Sequence, residues 1–320
     1  PPYADSVNYH ELSEFFLAWD KVYRKKIFPE CYTDSKRILA VKGTGEEFNN
    51  SMIEVYKNLC KHTTENGIQV VMFTHQDVKV WAELAVILWI SGLRVTAAWN
   101  ISTETESGGL KDGNYVKGTV LLVLRKQSSE EMAYLDELYP EIEEEDKNQI
   151  DSMRELDDKE DPNFSDPDYL LAAYAASLKV LTSYKSIEDI DVKYELSKNR
   201  NDKEETPIQK IINEAKKIAY DYLIPVDFDN YLWKELKPVE RFYLKGLEFE
   251  MNNMCKLSGY QELAKGFGVN EYNWMLGSTK ANSARIKTPK EFAMRNINDN
   301  SVFGQSLLRH VLASIYIALK

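Results

Sequence analysis

The sequence predicts an α/β chain in three parts, and three observations carry that prediction. Over residues 1–127, helix-period patterns alternate with short continuous apolar runs. Residues 128–168 form an acidic stretch. Residues 169–320 carry helical periodicity and no strand pattern.

Leu12 to Lys26 reads as a helix, because Leu12, Phe15, Phe16, Trp19, Val22 and Tyr23 recur at helical spacing. Lys21, Arg24, Lys25 and Lys26 suit its C-terminus, and Pro29 stops it. Residues 31–45 read as a loop. Glu46 to His62 is a second helix with Phe48, Met52, Val55, Tyr56 and Leu59 inward. Asn66-Gly67 is a turn. Ile68 to Thr74, apolar but for Gln69 and the final Thr74, reads as a continuous run of the kind a buried parallel strand shows, and His75 stands at its end. Asp77 to Ile90 is helical, with Val80, Trp81, Leu84 and Leu88 inward and Gly92 as its C-terminal cap. Arg94 to Ile101 and Gly118 to Lys126 are strands. The loop between them has no helical pattern, so they are expected to be antiparallel neighbours.

Ser128 to Asp168 holds 17 acidic and three basic residues, a net of −14. Its composition predicts an acidic linker with at most a short helix around Met132, Leu135 and Leu138. Beyond it, Asp166-Pro167-Asp168 opens a helix through Tyr184 that is apolar all round. Further helices are expected over Pro207–Tyr222, Val239–Asn253, Tyr260–Gly266 and Ser301–Leu319, with one turn near Lys290–Met294.

The whole chain carries −11, a poor balance for a protein that meets phosphates. Setting the acidic stretch aside leaves +3, which no longer opposes nucleic-acid binding. No apolar run is long enough to span a membrane and no secretion leader is visible. Cys31, Cys60 and Cys255 are isolated, arguing for a reducing, cytoplasmic setting and against a zinc site or disulfide framework.

The chemistry-bearing stretch is Pro1-Pro2-Tyr3, followed by Ala4-Asp5-Ser6-Val7-Asn8-Tyr9. Two prolines fix their backbone and remove two donors, leaving a stiff turn of carbonyl acceptors. The tyrosine offers a flat face for stacking. Together they suit the exocyclic amine of a base turned out of its helix. Pro1-Pro2-Tyr3 resembles the end of Asp-Pro-Pro-Tyr, the catalytic motif of amino-group DNA methyltransferases. The continuation through His10-Glu11-Leu12-Ser13-Glu14-Phe15-Phe16 is similar to large prokaryotic adenine-specific DNA methyltransferases that carry an N-terminal domain of unknown function. Val70–Gln76, Trp81, Val95–Glu104, Val120–Lys126 and Glu240–Leu244 extend the resemblance.

The resemblance implies a fold and a function. Residues 1–127 would be the distal half of a Rossmann-like methyltransferase sheet, 128–168 an acidic linker and 169–320 an α-helical domain with a possible role in DNA recognition. S-adenosylmethionine would be the methyl donor and adenine in DNA the acceptor. The motif's Asp would precede Pro1, and no Gly-x-Gly-x-x-Gly occurs in the chain. The chain is therefore expected to be a C-terminal portion that works with upstream residues and is inactive alone. Pro1 and Pro2 would shape the acceptor turn and Tyr3 would stack on the base. Asp5, Asn8 and Tyr9 extend that loop, and His75 would rim the cofactor edge. Lys36 and Arg37, and in the helical part Arg285 and Lys287, would meet phosphates; Lys280, Lys290 and Arg295 flank the latter pair. A non-enzymatic nucleic-acid-binding or scaffold subunit of a defence system is the alternative. Methylation of another amine, on cytosine or in RNA, is a third reading.

Overall fold

The computed structural model describes residues 9–30, 34–35, 41, 45–103, 118–156, 164, 166–197, 204–225, 228–253 and 255–320. In chain order the elements are α1 (Tyr9–Ile27), α2 (Gly45–His62), β1 (Gln69–Phe73), α3 (Val78–Ile90), β2 (Leu93–Ser102), β3 (Gly118–Lys126), β4 (Met132–Ala133), α4 (Leu135–Leu156), α5 (Asp166–Ser183) and β5 (Ser186–Ile187). There follow α6 (Val192–Ser197), α7 (Pro207–Tyr222), α8 (Asn230–Glu235), α9 (Pro238–Met251), α10 (Leu257–Gly266), β6 (Leu276–Ser278), β7 (Arg285–Ile286), α11 (Pro289–Phe292) and α12 (Leu307–Ala318). The protein is mixed α/β, and among the described residues no helix is long and apolar enough to cross a membrane. It divides into two compact units. The first holds residues 1–99, 120–145 and 175–212; the second holds 100–119, 146–174 and 213–320.

The first unit is built on a three-stranded sheet of order β1-β3-β2. β1 pairs antiparallel with β3, Val71 opposite Leu122 and Phe73 opposite Val120. The expected pairing of the second and third strands is present. Gln127 N–H donates to the Gly92 carbonyl at 2.9 Å and Thr96 Oγ1 to the Val123 carbonyl at 3.2 Å. The partner numbers fall as the strand numbers rise, so β2 and β3 run in opposite directions. α3 begins one residue later than expected, with Asp77 as its N-cap: the Asp77 side chain accepts from Lys79 N at 2.9 Å, and the expected Gly92 follows the C-terminal end at φ 75°. Trp81, Leu84, Ala85 and Leu88 are buried, and Trp81 packs edge-on against Phe73 with ring centroids 4.8 Å apart. α2 lies against α3.

β1 corrects the sequence reading. It pairs antiparallel with β3 and, among the described residues, lies at the edge of the sheet, rather than being a buried parallel strand. Ile68, Val70 and Met72 stand in a row on one face and are each more than half exposed. The apolar run Val70–Phe73 hid this, because both faces of the strand carry apolar side chains there and so show no alternation.

The acidic stretch also departs from a solvated linker. Most of it is α4, a 22-residue helix. Leu138 and Ile142 are buried in the first unit, Ile150 and Met153 in the second. Several of its carboxylates are engaged: Glu145 pairs with Lys179 at 2.6 Å, and Glu141 accepts from Tyr184 Oη at 2.7 Å. That hydrogen bond, with partial burial and neighbouring carboxylates, pushes the Tyr184 hydroxyl up to about 12.

The second unit has an aromatic core. Trp233, Phe242, Tyr243, Tyr260 and Phe303 are almost fully buried. The unit is not purely helical, since β6 and β7 form a short antiparallel pair. α12 starts at Leu307, capped by Ser306, rather than at Ser301. Gly266 sits where only a glycine fits, because a Cβ there would run into the Tyr220 ring. Lys245 is 2% exposed and is held between Asp166, at 3.1 Å, and Glu248.

Candidate functional site

The first candidate position is the end of β1. Phe73 is buried on Trp81, and the chain then turns through residues 74–77 into α3. His75 is fixed there from two sides. Its carbonyl accepts from Trp81 Nε1 at 2.6 Å, and its Nδ1 accepts from the Asp77 backbone N–H at 3.0 Å. Nδ1 is therefore the acceptor, and a neutral ring carries its proton on Nε2. The arrangement fixes the imidazole orientation beside a capped helix start.

The catalytic and loop residues predicted from the sequence, Pro1, Pro2, Tyr3, Asp5 and Asn8, lie outside the described residues, as do Lys36 and Arg37. Tyr9 is described only as the first residue of α1. Among the described residues no cluster of His, Cys, Asp or Glu could hold a metal ion.

The second candidate position, in the second unit, is the β6–β7 pair with α11. Here α9 acts as the scaffold. Tyr243 Oη donates to the Lys287 carbonyl at 2.7 Å, and Glu250 accepts from Ile286 N–H at 2.5 Å. Arg285 makes a two-pronged pair with Glu291, Nη1 to Oε2 at 2.7 Å and Nη2 to Oε1 at 2.6 Å. Gly277 leaves room for it, since a Cβ there would collide with the guanidinium. The Arg285 hydrogen bond, helped by the Thr288 backbone N–H at 2.9 Å, holds the Glu291 carboxyl down at about 2. The same pairing raises Arg285 above its ordinary range. Lys287 places its ammonium 5.8 Å from the centre of the Phe292 ring. Trp274 meets Phe292 and Phe303 edge-on, at 6.3 and 5.3 Å. Lys280, Lys290 and Arg295 are exposed.

Of the two basic residues predicted here, the structure therefore leaves Lys287 as the more available charge, while Arg285 is neutralised in place. Two residues outside the predicted set shape these positions. Trp81 holds the His75 carbonyl, which nothing in the sequence signals. Glu291 holds Arg285, and its signal was present: Thr288-Pro289-Lys290-Glu291 is a capping box, in which Glu291 Oε2 accepts from Thr288 N–H. In comparisons with protein-family models, curated proteins and solved structures, nothing matches the chain.

Proposed function

We propose that the chain is the C-terminal portion of an S-adenosylmethionine-dependent DNA methyltransferase acting on the exocyclic amine of adenine. The observation that carries this reading is the strand order. β3 lies between β1 and β2 and runs against both. A methyltransferase sheet differs from other doubly wound sheets by a reversed strand in this distal region, and the Pro1-Pro2-Tyr3 resemblance calls for that region. Among the described residues β1 ends the strand order, which leaves room for a further strand from upstream residues beside it.

In this reading each residue has a physical task. Pro1 and Pro2 hold a rigid turn whose carbonyls accept from the target amine and raise its electron density. Tyr3 stacks on the everted base. Asp5, Asn8 and Tyr9 continue the loop around it. His75, held at the end of β1 by the Asp77 N–H on its Nδ1, would rim the cofactor edge. His75 alone does not make a cofactor site, and the glycine-rich turn and the acceptor carboxylate would come from upstream residues. S-adenosylmethionine, when bound, supplies an electrophilic methyl group. In the second unit Lys287, Lys280, Lys290 and Arg295 would meet backbone phosphates, with Arg285 serving chiefly to brace the β6–β7 pair.

The test is transfer of labelled methyl from S-adenosylmethionine to adenine-containing DNA. This chain and a version carrying the preceding residues of its gene are compared. The extended protein is expected to be active and this chain inactive. Within the extended protein, Tyr3→Ala should lower the rate by about tenfold to a hundredfold, the value of one lost base stack. Activity in this chain alone, or a Tyr3 variant at full rate, would overturn the assignment. A folded, DNA-binding but inactive extended protein would favour the scaffold reading.

A further inference from the structure

Residues 277–310 hold six basic residues and two acidic ones, in a chain whose net charge is −11. The fold does not cancel that local imbalance. Both acids are engaged within the segment. Glu291 is taken by Arg285 and by the Thr288 N–H. Asp299 accepts from the Ser301 N–H at 2.9 Å and from Asn296 Nδ2 at 2.7 Å. Lys280, Lys287, Lys290 and Arg295 have no carboxylate within 4.0 Å among the described residues. Arg309 is fully buried, and its Nε and Nη2 donate to the carbonyls of Arg295 and Ala293, at 3.1 and 2.9 Å, so it too lacks a carboxylate partner. Cations left unpaired in one segment set up a positive field that draws in an anion.

Trp274 stands among these charges. It is 37% exposed, and its ring is braced edge-on by Phe292 and Phe303. The Lys287 N–H donates to the carbonyl of the next residue, Met275, at 2.8 Å, and the Lys287 ammonium lies over the Phe292 ring. Trp274 and Lys287 therefore share one backing, Phe292. Lys290 lies on the same short helix as Phe292, and the Arg295 N–H donates to the Phe292 carbonyl at 3.1 Å. The Trp274 Nε1–H makes no hydrogen bond among the described residues. A braced, part-exposed indole with a spare donor, beside unpaired cations, fits a ligand that carries both phosphates and flat rings. A duplex keeps its base faces stacked inside and offers this surface chiefly phosphates. An unpaired strand offers both.

We infer that Trp274 is a base-stacking platform for a single-stranded polynucleotide, with Lys287, Lys290 and Arg295 on its phosphates. The inference rests on the proposal that the second unit meets nucleic acid. It adds the state of the strand and the stacking residue, and it needs no methyl transfer.

The test is fluorescence anisotropy of labelled oligonucleotides of about 15 nucleotides with this chain, in the absence of cofactor. Oligothymidylate, oligouridylate and a DNA duplex are compared. At least one single strand should bind about tenfold more tightly than the duplex, and the preferred one assigns DNA or RNA. Trp274→Ala should weaken single-strand binding by about tenfold to a hundredfold, and Trp274→Phe by much less. Lys287→Ala with Lys290→Ala should flatten the salt dependence by about one to two phosphate contacts. Trp274→Ala also removes packing from Phe292 and Phe303, so a second measurement uses the unaltered protein. Ultraviolet cross-linking to a bromodeoxyuridine oligonucleotide should yield a linked peptide that contains Trp274. Cross-links that map elsewhere, or a duplex bound as tightly as either single strand, overturn the inference. Failure to bind any of the three overturns it as well. An extended protein that transfers no methyl while Trp274 still cross-links would sink the proposed activity and leave this inference standing.

Discussion

Replacing Lys245 with alanine is expected to destabilise the second unit by about 3–5 kcal/mol, because it leaves two carboxylates facing each other at the edge of a core. Lys245 is 2% exposed and its ammonium lies between Asp166 and Glu248. Burial alone would pull its pKa down, but the two carboxylates outweigh burial and the net shift is upward from 10.5. The sign of the pH dependence follows. A raised lysine stabilises the fold fully below 10.5 and loses that contribution only as the pH climbs past the still higher folded value. Urea denaturation should therefore show a gap between wild type and Lys245→Ala that stays constant through neutral pH and narrows only in strong alkali. Lys245→Met keeps most of the buried stem and separates charge from packing. If Lys245→Met matches wild type, the ion cluster contributes little and the account of it is wrong.

Trp81→Ala is expected to cost the first unit about 3–5 kcal/mol, the usual range for emptying a large aromatic from a core. Trp81 is fully buried and meets Phe73 edge-on. It also donates to the His75 carbonyl at 2.6 Å, so its loss reaches the end of β1. Trp81→Phe fills much of the volume but leaves that carbonyl without this donor, and should cost about 1–3 kcal/mol. Backbone amide exchange in residues 74–78 should then rise more than exchange elsewhere in α3. A Trp81→Phe protein with unchanged exchange there would show that the hydrogen bond does not position His75.

Local signals carried most of the first unit. Asp77, the inward set Trp81, Leu84 and Leu88, and Gly92 delimit α3 from the sequence because caps and periodicity act over a few residues. The pairing of β2 with β3 was legible because a short non-helical connection leaves little but a hairpin-like return. The direction of β1 was not, since Val70 to Phe73 is apolar on both faces and periodicity cannot report a neighbour. α4 was hidden by its charge. Leu138, Ile142, Ile150 and Met153 recur at helical spacing, but acidic residues around them mimic a solvated linker until their partners on α5 and beyond are in place. At the β6–β7 pair, the basic residues were visible and their neutralisation was not. Arg285 and Glu291 are brought together by a strand and a capped turn, a relation that no simple spacing rule expresses.

The proposed function implies that β1, an edge strand among the described residues, gains a neighbouring strand from upstream residues in the whole protein. Hydrogen exchange of the backbone amides of residues 69–72 tests it most directly, in this chain and in the upstream-extended protein. The account predicts fast exchange for the outward-pointing amides in this chain, and slowing by orders of magnitude in the extended protein, to the level of β3. Equal exchange rates in the two proteins would mean that nothing joins that edge, and would contradict the claim.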